Sequence, residues 1–314
     1  SSLRLIAASQ APAVGDWLAS TNHARVDGSF ERAFNLVNMR GQFLSVVAPE
    51  IGGGPFAMVL ADAPKSFQQI VAAGATASVL GKKLRVDALM VDFSKAALWQ
   101  PRPAWERLVA GPKRIVAGLP SVRTLLRVEA PDGSMATLLK NPWQATFQTA
   151  VTAADAIMQF SGGLAEGNRR QVVAGARALA GLGGGLTPSG DDFLIGALHA
   201  LWATNWPEKA AELSEMIAGV AAPRTTQLSA AWLWAAARGE TGQRWHAFVD
   251  ELFVGKVPAV VRAARRIMAI GHTSGADALA GFVTTMQPDH VYSVVAGVGQ
   301  RRYFAVPQSL LAPT

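Results

Sequence analysis

Two short segments of the chain carry the same residue types in the same order. Gly185 to Gly196 reads Gly-Leu-Thr-Pro-Ser-Gly-Asp-Asp-Phe-Leu-Ile-Gly, and Gly271 to Gly281 reads Gly-His-Thr-Ser-Gly-Ala-Asp-Ala-Leu-Ala-Gly. When Pro188 is omitted, Gly, Thr, Ser, Gly, Asp, Leu and Gly coincide. A glycine-rich loop that leads into a helix exposes backbone N–H groups and the positive end of the helix dipole, which together bind phosphate or carboxylate. The doubled motif therefore predicts a site for a small anion between two helix N-termini.

The predicted substrate-binding residues come from both copies of the motif and from a third helix start. The first copy supplies Gly183, Gly184, Gly185, Thr187, Ser189 and Gly190, and the second supplies His272, Thr273, Ser274, Gly275 and Asp277. The string Arg224-Thr225-Thr226 follows Pro223, so Arg224 is predicted to clamp a carboxylate or phosphate with two hydrogen bonds. An ordinary helix start with a surface arginine is the equally weighted alternative.

Asp191 and Asp192 are the predicted catalytic residues. Asp191 has no counterpart in the second copy, where Ala276 stands, and this asymmetry favours a chemical role as a base or a Mg²⁺ ligand. A carboxylate at a helix N-terminus is expected to have a lowered pKa, which suits a metal ligand better than a base. The sequence establishes no cofactor. Mg²⁺ is the metal ion that these two acids could bind, and the metal ligands are unknown.

A purely structural interpretation of the doubled motif is a pair of capping boxes. Ser189 precedes Asp192 by three residues and Ser274 precedes Asp277 by three, so each acid could fold back on its own serine at the helix start. Capping requires neither the flanking glycines nor the threonines nor a repeated register. The ligand hypothesis therefore has more weight for the motif as a whole.

Composition and missing motifs exclude several classes of function. The chain has 314 residues, half of them apolar, and no cysteine, which excludes disulfides, thiolate nucleophiles and cysteine-based metal sites and favours the cytoplasm. The net charge of +7 is scattered, so we expect no nucleic-acid partner, and no apolar run is long enough to predict a membrane span. Gly190-Asp191-Asp192 does not fit a P-loop, and the Rossmann spacing fails.

The periodicity predicts an α+β protein in which a β-rich N-terminal domain precedes a mainly helical one. Residues 1–130 are predicted to form an antiparallel β-rich domain, a small barrel or sandwich, with a connecting hairpin at Pro131-Asp132-Gly133. Residues 131–314 are predicted to form the helical domain, and two final runs, Tyr292–Ala296 and Tyr303–Val306, could return as strands to the first. The predicted strands are 33–37, 43–48, 56–61, 77–80 and 85–91, and the predicted helices are about 143–160, 165–180, 191–204, 207–220, 224–238, 243–254, 257–270 and 276–286.

These motifs resemble the AllH-like family, subunits of oxamate carbamoyltransferase. The resemblance lies in Gly181–Gly196, in Arg224-Thr225-Thr226 and in Gly271–Gly281, and extends to Arg32–Leu36 and Gly54-Pro55 in the first half. Gly184 stands where the family string usually has proline. The family offers no catalytic residue assignment to transfer, so the site residues above rest on the physics of the loops.

The resemblance implies phosphorolysis of oxalurate to oxamate and carbamoyl phosphate in allantoin and purine catabolism. It also implies a multi-subunit complex with an FdrA-like subunit and a further subunit, and a small anionic substrate: phosphate, carbamoyl phosphate, oxamate or oxalurate. Two alternatives stay open, a subunit of an FdrA-associated ligase that uses ATP or CoA, and a scaffold subunit without catalytic residues.

Overall fold

The chain folds into two compact units. The computed structural model describes residues 2–139 and 147–286, with backbone alone at 138–139 and 147–151. Among the described residues, one unit comprises 2–103 and 240–243, and the other comprises 104–139, 147–239 and 244–286. The predicted boundary between two domains at residue 130 is a statement about independent folding, and it stays a prediction.

The first unit is a closed mixed β-barrel, and a barrel is one of the two architectures that the sequence predicts. Its strands pair in the order β5-β4-β3-β2-β6-β7-β8-β1, and β1 closes the barrel on β5 while β9 extends β1 outside the ring. Six pairings are antiparallel, but β1–β8, β1–β9 and β4–β5 are parallel, so the prediction of a purely antiparallel domain was wrong in these places. The elements are β1 Leu3–Gln10, α1 Pro12–Ser20, β2 His23–Ser29, β3 Ala33–Asn38, β4 Phe43–Val47, β5 Ala57–Leu60, β6 Thr76–Leu80, β7 Lys83–Val86, β8 Leu89–Asp92 and β9 Ala97–Leu98.

The inward-facing side chains of the strands fill the barrel. Val26, Leu36, Leu44, Met58 and Leu84 come from five different strands, and all are fully buried. Closure requires β1 because it pairs on both sides, with β8 and with β5. The polar and small residues of β1 and β2 conceal their strand character, and for this reason the sequence predicts neither.

One strand predicted from the sequence is two strands in the structure. The predicted run 85–91 contains the turn between β7 and β8, where Asp87 has a φ of 49°. That backbone conformation is rare for a residue with a side chain, although aspartate tolerates it better than most. The turn thus makes an antiparallel hairpin within what the sequence presents as one apolar run.

The second unit is helical, and all eight predicted helical segments overlap one of its helices. Its elements are α2 Glu106–Ala110, α3 Pro112–Glu129, α4 Phe147–Glu166, α5 Arg169–Leu179, α6 Ser189–Thr204, α7 Pro207–Ala221, α8 Gln227–Ala237, α9 Gln243–Val254, α10 Val257–Met268 and α11 Ser274–Met286. The predicted hairpin at residues 131–133 is wrong, because these residues form a turn between α3 and a short 3-10 helix, Met135–Leu139. The two predicted final strands lie outside the described residues.

Helix α6 is the central element of this unit. It is buried from Gly190 to Ala203 and contacts α2, α5, α7, α8 and α11. A helix that is buried on all sides needs apolar or small residues around its whole circumference, and α6 has them except at Asp191, Asp192 and His199. None of the helices that the structure describes is long and apolar enough to cross a membrane.

Candidate functional site

The structure brings the two copies of the motif together. In each copy a helix begins at the serine, Ser189 of α6 and Ser274 of α11, and these two helices pack against each other. The hydroxyl oxygens of Thr187 and Ser274 are 3.0 Å apart, which links the loop of the first copy to the helix start of the second. The repeated residues therefore form one cluster.

Four of the repeated glycines are required by helix packing. A Cβ atom on Gly196 would lie 1.7 Å from the carbonyl oxygen of Ala278, and one on Gly281 would lie 1.9 Å from that of Phe193. The contact is reciprocal, because Phe193 and Ala278 occupy the same position in the two copies. A Cβ on Gly190 or Gly275 would likewise lie 1.9 Å or 1.8 Å from a carbonyl oxygen at the end of the preceding helix. These glycines explain much of the repeat without any ligand.

The exposed loop before α6 is different. Gly183, Gly184 and Gly185 are exposed, and a Cβ on Gly184 or Gly185 would meet nothing within 4 Å. Throughout the part of the chain that the structure describes, the backbone N–H groups from Gly183 to Thr187 donate to no other group. Five consecutive free donors just before a helix N-terminus are the backbone arrangement that binds an anion.

The Arg224-Thr225-Thr226 string is fastened to this loop. Thr226 is the N-cap of α8, where its hydroxyl accepts from Ser229 N at 3.1 Å and donates to the carbonyl of Leu186 at 2.8 Å. The backbone carbonyl of Arg224 lies 2.8 Å from where a Cβ on Gly181 would stand, and the Arg224 side chain is exposed. The structure thus places the Arg224 backbone and a helix start beside the glycine loop.

Replacing Thr226 by alanine should lower the free energy of unfolding by about 1–2 kcal/mol, because both the α8 cap and the bond to Leu186 are lost. Thr226→Ser keeps the hydroxyl and should recover most of that loss. Urea denaturation of both variants checks this, and equal destabilisation by alanine and serine would contradict it.

Asp191 is an anchor between three helices. Its side chain is fully buried, Oδ1 accepts from the Gly181 amide at 2.9 Å, and Oδ2 accepts from the Thr225 hydroxyl. Burial raises the pKa of Asp191, and hydrogen bonds from Thr225 and Gly181 oppose that rise. Both carboxylate oxygens are engaged, so this residue ties the end of α5 and the start of α8 to α6.

Asp192 and Asp277 are the buried acids of the two copies, with 6% and 0% of their surface exposed. Burial, with a smaller contribution from the charge of Asp277, raises the pKa of Asp192 to about 8 against the opposing effect of the Ser274 and Thr187 hydroxyls. Burial also raises the pKa of Asp277. The expectation of a lowered pKa was wrong, because the loss of solvation outweighs the helix N-terminus.

The capping-box interpretation also fails at the first copy. Helix α6 begins after Pro188, which has no side-chain cap, and the Asp192 amide donates to the Pro188 carbonyl rather than to a serine side chain. The serines are instead coupled across the repeat: Ser274 of the second copy stabilises ionised Asp192, and Ser189 of the first stabilises ionised Asp277. The ionised form of each acid is therefore stabilised by a hydroxyl of the other copy of the motif.

Asp277 has two further partners that the sequence does not indicate. Its Oδ1 accepts from the Ser134 hydroxyl at 2.9 Å and from the Met135 amide at 2.6 Å. These residues stand 143 and 142 positions away in the chain, and no pattern in the sequence relates them to the repeat. His272 and Thr273 complete the second loop, with His272 exposed and Thr273 half-buried.

The described residues of the repeat form no cluster of metal ligands. In residues 2–139 and 147–286, no three side chains of His, Asp or Glu are grouped so that they could hold a metal ion. A cavity of about 270 Å³ adjoins the opposite end of α6, where Leu201, Thr204 and Asn205 line it together with Met216 and Met286. Its lining is mostly apolar, with Arg169 and Lys209 also contributing, and none of the predicted site residues lines it.

Comparison with known families gives two matches. The model described as oxamate carbamoyltransferase subunit AllH matches residues 179–286, and the model described as the AllH family N-terminal domain matches residues 6–98. The two matches cover the barrel and about half of the helical unit, including both copies of the motif. The comparison with curated proteins gave no match, and the comparison with solved structures gave none.

Proposed function

Because the chain belongs to the AllH family of oxamate carbamoyltransferase subunits, we propose that it forms part of an enzyme that moves a carbamoyl group between oxalurate and phosphate. The reaction converts oxalurate and phosphate into oxamate and carbamoyl phosphate, as a step in the cytoplasmic breakdown of allantoin. All four compounds are small anions. The contribution of this chain is the binding and orientation of an anionic group at the doubled motif.

The observation that carries this proposal is the row of free N–H groups from Gly183 to Thr187, just before the N-terminus of α6. These donors are fixed by the backbone, because Asp191 holds Gly181 and Thr226 holds Leu186. Fixed donors stabilise developing negative charge without a reorganisation cost. Carbamoyl transfer develops such charge on the carbonyl oxygen and on the leaving nitrogen.

The other predicted residues have distinct parts in this proposal. Arg224 supplies a positive charge beside the loop, Thr187 and Ser274 supply hydroxyl donors, and Asp192 supplies an acid that is protonated at neutral pH. Asp191 positions the loop rather than reacting. The site is completed by an FdrA-like subunit and a further subunit, so full activity requires the assembled complex.

Gly184→Ala is expected to weaken carbamoyl phosphate binding at least about tenfold while leaving stability unchanged. The new methyl group meets no protein atom within 4 Å, so it lies in open space beside the free amides and hinders the approach of an anion. Calorimetric titration of the full chain with carbamoyl phosphate and with inorganic phosphate measures the effect. Gly219→Ala, at an exposed glycine of α7, is the matched control and should bind as the unmodified chain does.

A scaffold subunit without its own ligand is the second candidate, and the packing of Gly190, Gly196, Gly275 and Gly281 favours it. Absence of binding by the unmodified chain, together with binding by the complex at another subunit, would support the scaffold. A ligase that uses ATP or CoA is a third alternative. It requires that ATP or CoA bind to the chain in the same titration.

A further inference from the structure

The acids Asp192 and Asp277 are an unusual pair. They occupy the same position in the two copies, on the first turns of α6 and α11, and the reciprocal glycine contacts fix these helices against each other. Both acids are more than nine-tenths buried, and each is near a hydroxyl of the opposite copy. The repeat thus places two carboxyl groups in one interior region.

Each acid has one oxygen without a partner. Oδ2 of Asp192 and Oδ2 of Asp277 are buried and accept no hydrogen bond from any group that the structure describes. Two ionised carboxylates with unsatisfied oxygens are unfavourable in a buried site, because each loses its hydration and each repels the other. A proton on one of them removes one charge and creates a donor.

We propose that Asp192 and Asp277 share one proton, and that this acid pair exchanges its proton with the bound anion through the hydroxyls of Ser274 and Thr187. The two hydroxyls lie 3.0 Å apart and are half-buried, so they form a path from the buried pair to the loop. The exchange rests on the proposed function, whereas the shared proton does not. Ser274 and Thr187 are the groups that contact the ligand, and the acids act through them.

The charged surroundings favour retention of that proton. Asp191 lies next to Asp192 on α6, and the negative charges of Asp277 and Asp191 both raise the pKa of Asp192. From the 3-10 helix, Ser134 and Met135 donate to Asp277, and Thr273 and Ser189 stabilise its ionised form. Among the described residues, neither acid has an ion pair with Lys, Arg or His, and His272 near the second loop is exposed. The proton therefore belongs on Asp192 and the negative charge on Asp277.

In the proposed reaction the acid pair gives up one proton and takes one back. An oxygen of hydrogen phosphate forms a bond to the carbamoyl carbon, and the bond from that carbon to the leaving nitrogen breaks with its electron pair on nitrogen. The nitrogen takes the shared proton and leaves as the amide of oxamate. The proton of hydrogen phosphate then returns to the pair, so no other reactant is needed.

The shared proton is tested by infrared spectroscopy of the full chain labelled with ¹³C at the aspartate carboxyl carbons. A protonated carboxyl band is expected at pH 7, and it should disappear in Asp192→Asn and weaken in Asp277→Asn, which removes the repelling charge. Asp16→Asn, at an exposed helix position, is the control and should leave the band unchanged. Absence of the band in the unmodified chain would overturn the proposal.

Stability gives an independent measure of the same proton. The folded-state pKa of Asp192 is raised to about 8, above its unfolded value, so the protonated acid stabilises the fold fully at low pH and this contribution is lost as pH rises toward 8. The folding equilibrium constant should fall by up to about tenfold per pH unit in that window. Asp192→Asn should make this slope shallower, because the raised pKa values of Asp191 and Asp277 contribute a smaller slope of the same sign. An unchanged slope would contradict the assignment to Asp192.

Exchange with the ligand is tested by titrating carbamoyl phosphate at pH 8 in two buffers with different heats of ionisation. Binding of the dianion near the pair should draw in a fraction of a proton, up to about one half, and Asp192→Asn should abolish this uptake. Binding without uptake would refute the exchange. Failure to bind, with the infrared band present, would refute the proposed function and the exchange but leave the shared proton established.

Discussion

Gly196→Ala is expected to lower the free energy of unfolding by about 3 kcal/mol or to prevent folding. The added methyl group would lie 1.7 Å from the carbonyl oxygen of Ala278, and a backbone atom in a packed helix cannot move aside as a side chain can. Gly281→Ala should have a similar effect through the reciprocal contact with Phe193, at 1.9 Å. Chemical denaturation followed by far-UV circular dichroism measures both.

The control for this prediction is Gly219→Ala. This glycine lies on the exposed side of α7, and the nearest atom to an added Cβ is the tip of Trp234 at 3.9 Å. Alanine there should stabilise the helix by about 0.5–1 kcal/mol, because it restricts the unfolded chain without a clash. If Gly196→Ala were as harmless as this control, the close approach of α6 and α11 would not exist in the protein.

Asp191→Ala is expected to destabilise the chain by about 3 kcal/mol. The substitution leaves the half-buried Gly181 amide and Thr225 hydroxyl without their acceptors and removes a fully buried carboxylate that ties three segments together, and each unsatisfied group costs about 1–3 kcal/mol. Asp191→Asn keeps one carbonyl acceptor and should lose less. Thermal and chemical denaturation of the two variants checks the order.

The same pair of variants separates an anchor from a catalytic acid. An anchor predicts that anion affinity falls in parallel with stability, because the loop from Gly183 to Thr187 depends on Gly181 for its position. A catalytic acid predicts a stable Asp191→Asn variant that binds normally and fails only in turnover by the complex. Asp250→Ala, at an exposed ion pair with Arg107, is the control and should change neither property.

Much of the helical unit could be predicted from the chain because its helix boundaries are encoded locally. Prolines stand in the first turn of α3, α7 and α10, and Thr226 caps α8, so the starts of these helices are visible in the sequence. Glycines with positive φ, such as Gly239 and Gly255, follow helix ends. Local signals of this kind do not depend on what the helices later pack against.

The barrel was predictable only in part because its closure is not local. The predicted strands from Ala33 to Leu60 are apolar and continuous, whereas β1 and β2 contain Arg4, Arg25 and Asp27 and give no such signal. The parallel pairing of β1 with β8 joins Leu3 to Leu89 across most of the domain. Hydrogen bonds between residues so distant follow from the closure of the sheet and leave no period in the sequence.

At the candidate site the sequence by itself determined the repeat, the loop that precedes each helix, and the presence of Asp192 and Asp277 at equivalent positions. The tertiary structure alone decided which glycines serve packing, with Gly190 and Gly196 against carbonyl oxygens and Gly184 in open space. It also decided the direction in which the pKa values of the acids shift. A pKa depends on burial and on neighbours brought from elsewhere in the chain, and for Asp277 those include Ser134, which no local pattern could reveal.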